Sequence, residues 1–164
     1  MPTNDYLKRI LLSRVYDVAV ETALEPAVTL SRRLGNKVLL KREDTQPVFS
    51  FKIRGAYNKM VQLSREELSR GVIAASAGNH AQGVALAATT HGIKSLICLP
   101  DNAPISKIEA TKWYGADVCL VEGVYDDAYQ KALKLRDEKG YTFVHPFDDE
   151  DVIAGQGTIG LELL

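Results

Sequence analysis

The order of apolar and polar residues predicts alternating short strands and helices through the middle of the chain. Val72–Ala75 is a short apolar run bounded by glycine and small polar residues, which is typical of a strand buried on both faces. Similar runs follow, separated by helical patterns. Strands are predicted at Val72–Ala75, Ser95–Leu99, Asp117–Val121 and Thr142–His145, with helices at Asn79–Thr90, Pro104–Tyr114 and Asp126–Lys139. This alternation predicts an α/β fold: a parallel sheet with helices on both faces.

The N-terminal part of the chain has less regular patterns. Apolar residues recur there at steps of three and four: Leu7, Ile10, Leu11, Val15 and Val18. This spacing predicts an amphipathic helix over residues 4–19. A short strand is predicted at Lys37–Lys41. Helical spacing resumes after Lys52, and the motif Ser64–Glu67 matches a capping box that starts another helical turn.

The C-terminal segment Gly155–Leu164 has the pattern of the opening turns of a helix. The chain stops inside this pattern with no capping residue. We therefore expect a truncated chain or a fragment of a longer protein.

Composition and charge exclude several classes of protein. The chain is 46% hydrophobic and 25% charged, which is typical of a soluble globular protein. Its formal net charge of −1 favours neither nucleic acid nor an anionic membrane as a partner. The first apolar run, Ile10–Leu12, is too short for a signal peptide, so a cytoplasmic protein is expected. Cys98 and Cys119 lie in apolar runs and are expected to be reduced thiols, and the scattered histidines predict no metal site.

Lys52 is the first candidate for chemistry. It lies in Ser50–Ala56, directly before a predicted helix and after the aromatic Phe51. An exposed lysine is the ordinary interpretation of any single lysine. However, an apolar setting and the positive end of a helix would both lower the pKa of the amine. A neutral amine is the form that Schiff-base chemistry requires.

The loop Ser76–Gly83 is the second candidate. It follows a predicted strand and opens a predicted helix, and its small residues would let a ligand approach the backbone N–H groups. The helix end adds unpaired donors and a positive partial charge, which suit an anion such as a carboxylate. A strand-to-helix turn without any ligand is the alternative for this loop considered alone.

Three segments together carry a resemblance to a known family. Lys41–Tyr57 resembles the attachment segment for pyridoxal 5'-phosphate (PLP) in biosynthetic threonine deaminases. Ala75–Ala85 resembles the substrate loop of the same family, and Ile153–Thr158 resembles a third family segment. The resemblance covers nearly the whole chain. It implies a truncated form of the fold type II architecture of PLP enzymes, which is similar to that of the tryptophan synthase beta chain.

The resemblance also implies a role for particular residues. Lys52 would attach PLP and then act as the base at the substrate Cα. Asn79 would bind the ring hydroxyl oxygen of PLP, and Phe51 would pack near the cofactor. The loop that closes on the substrate carboxylate would contain Ser76, Ala77, Gly78, Asn79 and His80.

A division into domains follows from the same resemblance. Residues 1–70 would belong to a large PLP domain, residues 71–155 to a small substrate-loop domain, and residues 156–164 to the return into the large domain.

The implied reaction is the conversion of L-threonine to 2-oxobutanoate and ammonia, the first step of isoleucine biosynthesis. A serine racemase or serine dehydratase is a second possibility, and a truncated, non-catalytic binding module is a third. The full-length protein is expected to be a homo-oligomer whose substrate is a small amino acid. None of the twelve glycines forms the glycine-rich loop that grips the PLP phosphate in this family, so the chain alone is expected to be inactive.

Overall fold

The computed structural model describes residues 5–164, and it confirms the predicted α/β class. Eight helices and six strands occur in these residues. The helices are α1 Tyr6–Leu11, α2 Val28–Leu34, α3 Lys52–Val61, α4 Arg65–Arg70, α5 Asn79–Thr90, α6 Ile105–Trp113, α7 Tyr125–Lys139 and α8 Glu150–Leu163. The strands are β1 Leu24–Pro26, β2 Leu39–Lys41, β3 Val72–Ala75, β4 Ser95–Pro100, β5 Asp117–Val121 and β6 Thr142–Phe143.

A four-stranded parallel sheet is the centre of the fold, as predicted. Its strand order is β5-β4-β3-β6, so the first strand of the run is flanked by two later ones. Val72 is paired with both Ser95 and Thr142, which places the carboxyl ends of β3, β4 and β6 at one edge. Loops that follow parallel strands at this edge are the usual position of a ligand site.

Helices cover both faces of this sheet, which confirms the prediction. Val72 and Ala74 point into the larger core with α5, whereas Ile73 and Ala75 point into a second core formed with α7. This alternation follows from the two-residue period of a strand. Cys98 is buried in the second core and Cys119 is half-buried, and both thiols are free.

The predicted helix over residues 4–19 is wrong in its length, and residue 4 lies outside the described residues. Helix α1 ends at Leu11, and a separate 3₁₀ turn covers Val15–Asp17. The backbone N–H of Arg14 donates to the Asn58 side chain at 3.2 Å, so it is no longer available to a helix. Val15 is fully buried, whereas Leu11 is 62% exposed. The two residues therefore cannot share one buried helix face.

Strand β1 and helix α2 were not expected from the sequence. Strand β1 pairs antiparallel with β2, which is shorter than the predicted Lys37–Lys41. Gly35 ends α2 in a left-handed conformation with φ 60°. The apolar side chains of these elements remain 40–61% exposed at the positions Leu24, Val28, Leu30, Leu34, Leu39 and Leu40. They therefore show no clear division into a buried and a polar face.

Helices α3 and α8 cross at two glycines. A Cβ atom on Gly155 would lie 2.6 Å from the Arg54 carbonyl oxygen and 2.8 Å from the Gly55 Cα, so only glycine allows this approach. Helix α8 begins at Glu150, earlier than the predicted start at Gly155, because Asp149 caps it by accepting the N–H groups of Asp151 and Val152. The division into domains at residue 155 stays a prediction, and α8 runs through that position.

Other boundaries differ from the predictions by one or two residues. Pro104 is the N-cap of α6, and β6 ends at Phe143. The capping box at Ser64 is confirmed, with Glu67 completing it. Within residues 5–164, no helix has both the length and the apolar character required to cross a membrane.

Candidate active site

Lys52 is the first residue of α3, and the neighbouring helix α5 packs directly against it. A Cβ atom on Gly83 would lie 3.1 Å from the carbonyl carbon and oxygen of Lys52, so this glycine allows the two backbones to approach. The backbone N–H of Lys52 donates to the Ser50 hydroxyl at 3.3 Å. Phe51, the residue before the helix, provides no side-chain cap.

Lys52 is half-buried. Its Nζ donates to the carbonyl oxygen of Pro146 at 2.6 Å and lies 5.4 Å from the centre of the Phe51 ring. Burial lowers the pKa of this amine, because the charged form loses its hydration. No carboxylate within residues 5–164 forms an ion pair with Nζ. The direction of this pKa shift is the one that the sequence predicts for Lys52.

The loop Ser76–Gly78 follows β3 and leads into α5. The N–H of Gly78 donates to the Ser76 hydroxyl at 3.2 Å, which closes a tight turn. Helix α5 then begins at Asn79 without a side-chain cap among the described residues. Asn79 is exposed, and Ser76 to Gly78 are half-buried. The first N–H groups of α5 can therefore receive an anion.

The side chain of His80 is turned into the fold, unlike the open loop before it. It is 4% exposed, and its Nε2 lies 3.0 Å from the carbonyl oxygen of Val144. A carbonyl can only accept, so Nε2 carries the proton and Nδ1 is an acceptor. Burial lowers the pKa of His80 to about 4 and keeps it neutral. Its Nδ1 is buried and has no partner in the described part of the chain.

The segment Val144–Pro146 joins the two candidate regions. Val144 accepts from His80 at the start of α5, and Pro146 accepts from Lys52 at the start of α3. The structure therefore brings together Lys52, Phe51 and His80. This role of Val144 and Pro146 cannot be predicted from the sequence, because backbone carbonyl groups have no residue-specific pattern.

A buried charge network beside α3 was also missed. Arg54 is fully buried, and it donates to Glu43 in the loop after β2 and to Glu162 in α8. The Glu162 side chain is 3% exposed and also accepts from Lys41 at 2.5 Å. Lys41 and Glu43 stand in a run of charged residues, which from sequence alone is typical of a solvated loop.

The network predicts a loss of stability in acid. Burial acts to raise the pKa of Glu162, but hydrogen bonds from Arg54, Lys41 and Tyr16 outweigh it and lower the pKa to about 2. The ordinary value is about 4.3, so the unfolded chain takes up a proton first as the pH falls. The stabilisation is therefore complete above pH ~4.3 and is lost between that pH and ~2; it is on the order of 3 kcal/mol.

Urea unfolding between pH 7 and pH 2.5 measures this loss, with Glu162→Gln as the comparison. We expect the variant to be less stable at pH 7 and to depend less on pH below 4.3, because glutamine does not titrate. If the free energy of unfolding depended equally on pH in both proteins below pH ~4.3, the assignment to Glu162 would be contradicted.

Comparison with known proteins agrees with this geometry. The model of the family "Pyridoxal-phosphate dependent enzyme" matches residues 15–164. The chain belongs to this family. The predicted family and the predicted cofactor class are thereby confirmed.

Individual relatives of this PLP enzyme chain are close in sequence and structure. A biosynthetic L-threonine dehydratase of Burkholderia multivorans is 58% identical over 167 residues, which cover 100% of this chain and 33% of the relative. The solved structure of threonine deaminase isoform 2 from Solanum lycopersicum is 54% identical with a TM-score of 0.92, covering 96% of this chain and 46% of that one. Maize serine racemase is 35% identical with a TM-score of 0.91, covering 98% and 48%.

These comparisons confirm the fold type II architecture. The chain spans about a third of the length of the biosynthetic L-threonine dehydratases of Burkholderia multivorans and Pasteurella multocida.

The residues around Lys52 fit PLP. The amine is desolvated and has only a carbonyl partner among the described residues, so it can exchange that contact for a covalent one. The Phe51 ring is 39% exposed beside it, which leaves an aromatic surface for a planar ring. The open start of α5 follows the adjacent strand. An aldehyde-bearing pyridine ring requires an amine, an aromatic surface and amide donors.

Proposed function

We propose that this chain is the N-terminal part of the catalytic domain of a PLP-dependent L-threonine ammonia-lyase. Its products would be 2-oxobutanoate and ammonia, and the reaction would serve isoleucine biosynthesis. The observation that carries the proposal is the desolvated Lys52 amine beside the open start of α5. The relatives support the choice of threonine, because the Burkholderia protein of that name matches the entire chain at 58% identity.

Lys52 would attach the cofactor and then move a proton. When bound, PLP supplies an electron sink for the charge left at the substrate Cα. Burial lowers the pKa of the Nζ amine of Lys52, which favours the neutral form that can accept the Cα proton. Phe51 would cover one face of the ring, and Asn79 would hydrogen-bond to the ring hydroxyl oxygen.

The substrate loop would bind the carboxylate of the amino acid. Ser76, Ala77, Gly78, Asn79 and His80 surround the start of α5, where backbone N–H groups and the helix dipole favour a negative charge. The contribution of His80 would be its backbone, since its imidazole is bound to Val144. That bond would hold the first turn of α5 in place for the substrate.

The proposal extends to the domain organisation and assembly of the protein. Residues 71–155 would form a small domain that moves against the large one, to which residues 1–70 and 156–164 belong. The full-length protein would be a homo-oligomer in the cytoplasm, where free thiols such as those of Cys98 and Cys119 are stable.

A fusion protein tests the function. The fusion places the remaining two-thirds of the Burkholderia relative after Leu164, and this chain alone is assayed beside it. We expect the fusion, supplied with PLP, to form 2-oxobutanoate from L-threonine faster than pyruvate from L-serine. The chain alone should form little product, because it lacks a glycine-rich loop for the phosphate.

Other outcomes would select the alternatives. The likeness to maize serine racemase motivates a test for D-serine, and a preference for L-serine would support a racemase or a serine dehydratase. A folded but inactive fusion, measured beside an active Burkholderia enzyme, would support a non-catalytic module.

A further inference from the structure

The start of α3 has one side-chain hydrogen bond, from the Lys52 N–H to the Ser50 hydroxyl at 3.3 Å. Phe51 provides no side-chain cap, and the backbone N–H of Gly55 donates to the Gln156 side chain of α8 at 3.2 Å. Among residues 5–164, the Lys52 amine donates to one carbonyl oxygen. The direction of the Lys52 side chain depends on the rotation of this first turn, so further contacts that fix the turn also affect the amine.

Arg54 occupies the same turn and is bound from two sides. Its Nε and one Nη donate to the two oxygens of Glu43, both at 2.8 Å. Its two Nη atoms donate to the two oxygens of Glu162 at 2.5 and 2.9 Å. Thr158 and the carbonyl oxygen of Val20 accept further bonds at 3.1 Å each. The planar guanidinium group is thus fixed in position and in rotation.

The partners of Arg54 come from separate parts of the chain. Glu43 follows β2, and it also accepts from the Thr22 hydroxyl at 2.6 Å and from the Gln46 amide at 3.2 Å. Glu162 lies in α8 and accepts from Tyr16 at 2.7 Å. With Lys41, the network holds two positive and two negative side chains, so it is neutral as a whole.

From this arrangement we infer that Arg54 is a positioning residue, which fixes the first turn of α3 and thereby holds the Lys52 amine at the candidate site. The inference rests on the proposed function, since it assigns Arg54 to the chemistry of Lys52. Simple charge balance is the competing explanation. A buried arginine between two glutamates could serve stability alone. Removing it would then leave unpaired charges but would not change the pKa of Lys52.

Competitive acylation separates these explanations without using PLP. The chain is treated with a small acylating reagent over a range of pH, and peptide mass spectrometry gives the apparent pKa of Lys52 beside that of exposed lysines. In the unmodified chain we expect the pKa of Lys52 to lie below the ordinary value for lysine, because burial lowers it. Arg54→Lys keeps the charge, but lysine cannot bind Glu43 and Glu162 through a planar group as arginine does. Water should then reach Lys52, and the pKa of Lys52 should rise.

A rise of one unit corresponds to about tenfold slower acylation at pH 7. The matched control is Arg42→Lys, because Arg42 also binds two carboxylates, Glu25 at 2.6 Å and Asp44 at 2.8 Å, but lies at the surface. We expect this control to leave the Lys52 profile unchanged.

A charge-neutral double variant tests stability separately. Arg54→Met leaves one excess negative charge, and Arg54→Met with Glu43→Gln restores neutrality. We expect the double variant to recover much of the lost unfolding midpoint while its Lys52 pKa stays raised. A Lys52 profile like that of the unmodified chain, in the folded double variant and in Arg54→Lys, would overturn the inference.

If the Arg54 variants unfold, Thr158→Val replaces them, because it removes one neutral hydrogen bond from Arg54. An unchanged pH profile of Lys52 acylation in that variant would overturn the inference. Failure of PLP to label Lys52 in the unmodified chain would count against the proposed function instead, because acylation involves no cofactor.

Discussion

Lys52→Ala should abolish the covalent attachment of PLP. After incubation with PLP and reduction by borohydride, peptide mass spectrometry of the unmodified chain should place the pyridoxyl group at Lys52. In the variant, no lysine should take its place, because among the lysines of residues 5–164 a pKa lowered by burial is found at Lys52 alone. Lys59, on the same helix, is ion-paired with Asp149 at 2.8 Å and its pKa is raised.

In the fusion protein, the same substitution should lower the rate of product formation by a factor on the order of 10³ or more, since it removes both the attachment point and the base. Lys134→Ala is the matched control, because the Lys134 side chain is 67% exposed and its ion-pair distance is 3.8 Å. Labelling spread over many surface lysines of the unmodified chain would show that these residues do not form the site unaided.

Gly155→Ala should be strongly destabilising. The new Cβ would lie 2.6 Å from the Arg54 carbonyl oxygen and 2.8 Å from the Gly55 Cα, and backbone atoms cannot move aside as a flexible side chain can. Helices α3 and α8 would have to separate, at a cost of about 3 kcal/mol. Because Arg54 belongs to the same contact, the separation should also disturb the start of α3.

Gly160 provides the control within the same helix. A Cβ atom there would meet nothing within 4 Å, so Gly160→Ala should stabilise the helix by about 0.5–1 kcal/mol. Urea unfolding midpoints measure both changes. Similar shifts for the two variants would show that helix propensity, and not the close crossing, decides the stability of α8.

The central sheet could be predicted from the sequence because its signals are local. Each strand is a short apolar run, and Gly71, Gly115 and Gly140 mark turns with positive φ, where glycine is favoured. The helix α5 was predicted with both of its ends correct. The strands are buried on both faces, so a short apolar run along the sequence is enough to reveal each of them.

The failures arose where distant residues decide the structure. Val15 fits the helical spacing of the N-terminal segment, but it is buried in a separate turn whose preceding residue is bonded to Asn58. Similarly, the partners of Arg54 are more than a hundred residues apart along the chain. A charged run such as Lys41–Asp44 does not reveal which of its side chains will be buried.

The candidate site also contains some groups that the sequence predicts and others that it does not. Lys52 and the loop after Val72–Ala75 were found because each combines a helix start with an informative residue type. Pro146 and Val144 were not found, because they contribute carbonyl oxygens. The inward direction of the His80 imidazole depends on the position of Val144, which follows β6 and lies 64 residues further along.

The crossing of α3 and α8 has a consequence for the order in which the protein folds. The four parallel strands and the helices between them form one continuous stretch of chain, from Val72 to Phe143, so the sheet can be completed before α8 is present. The contact between Gly55 and Gly155 closes a loop of about a hundred residues, and loop closure of this length is entropically costly. During synthesis, the sheet can therefore form before α3 is able to pack against α8. The surroundings of Lys52 should be completed last, when α8 has left the ribosome.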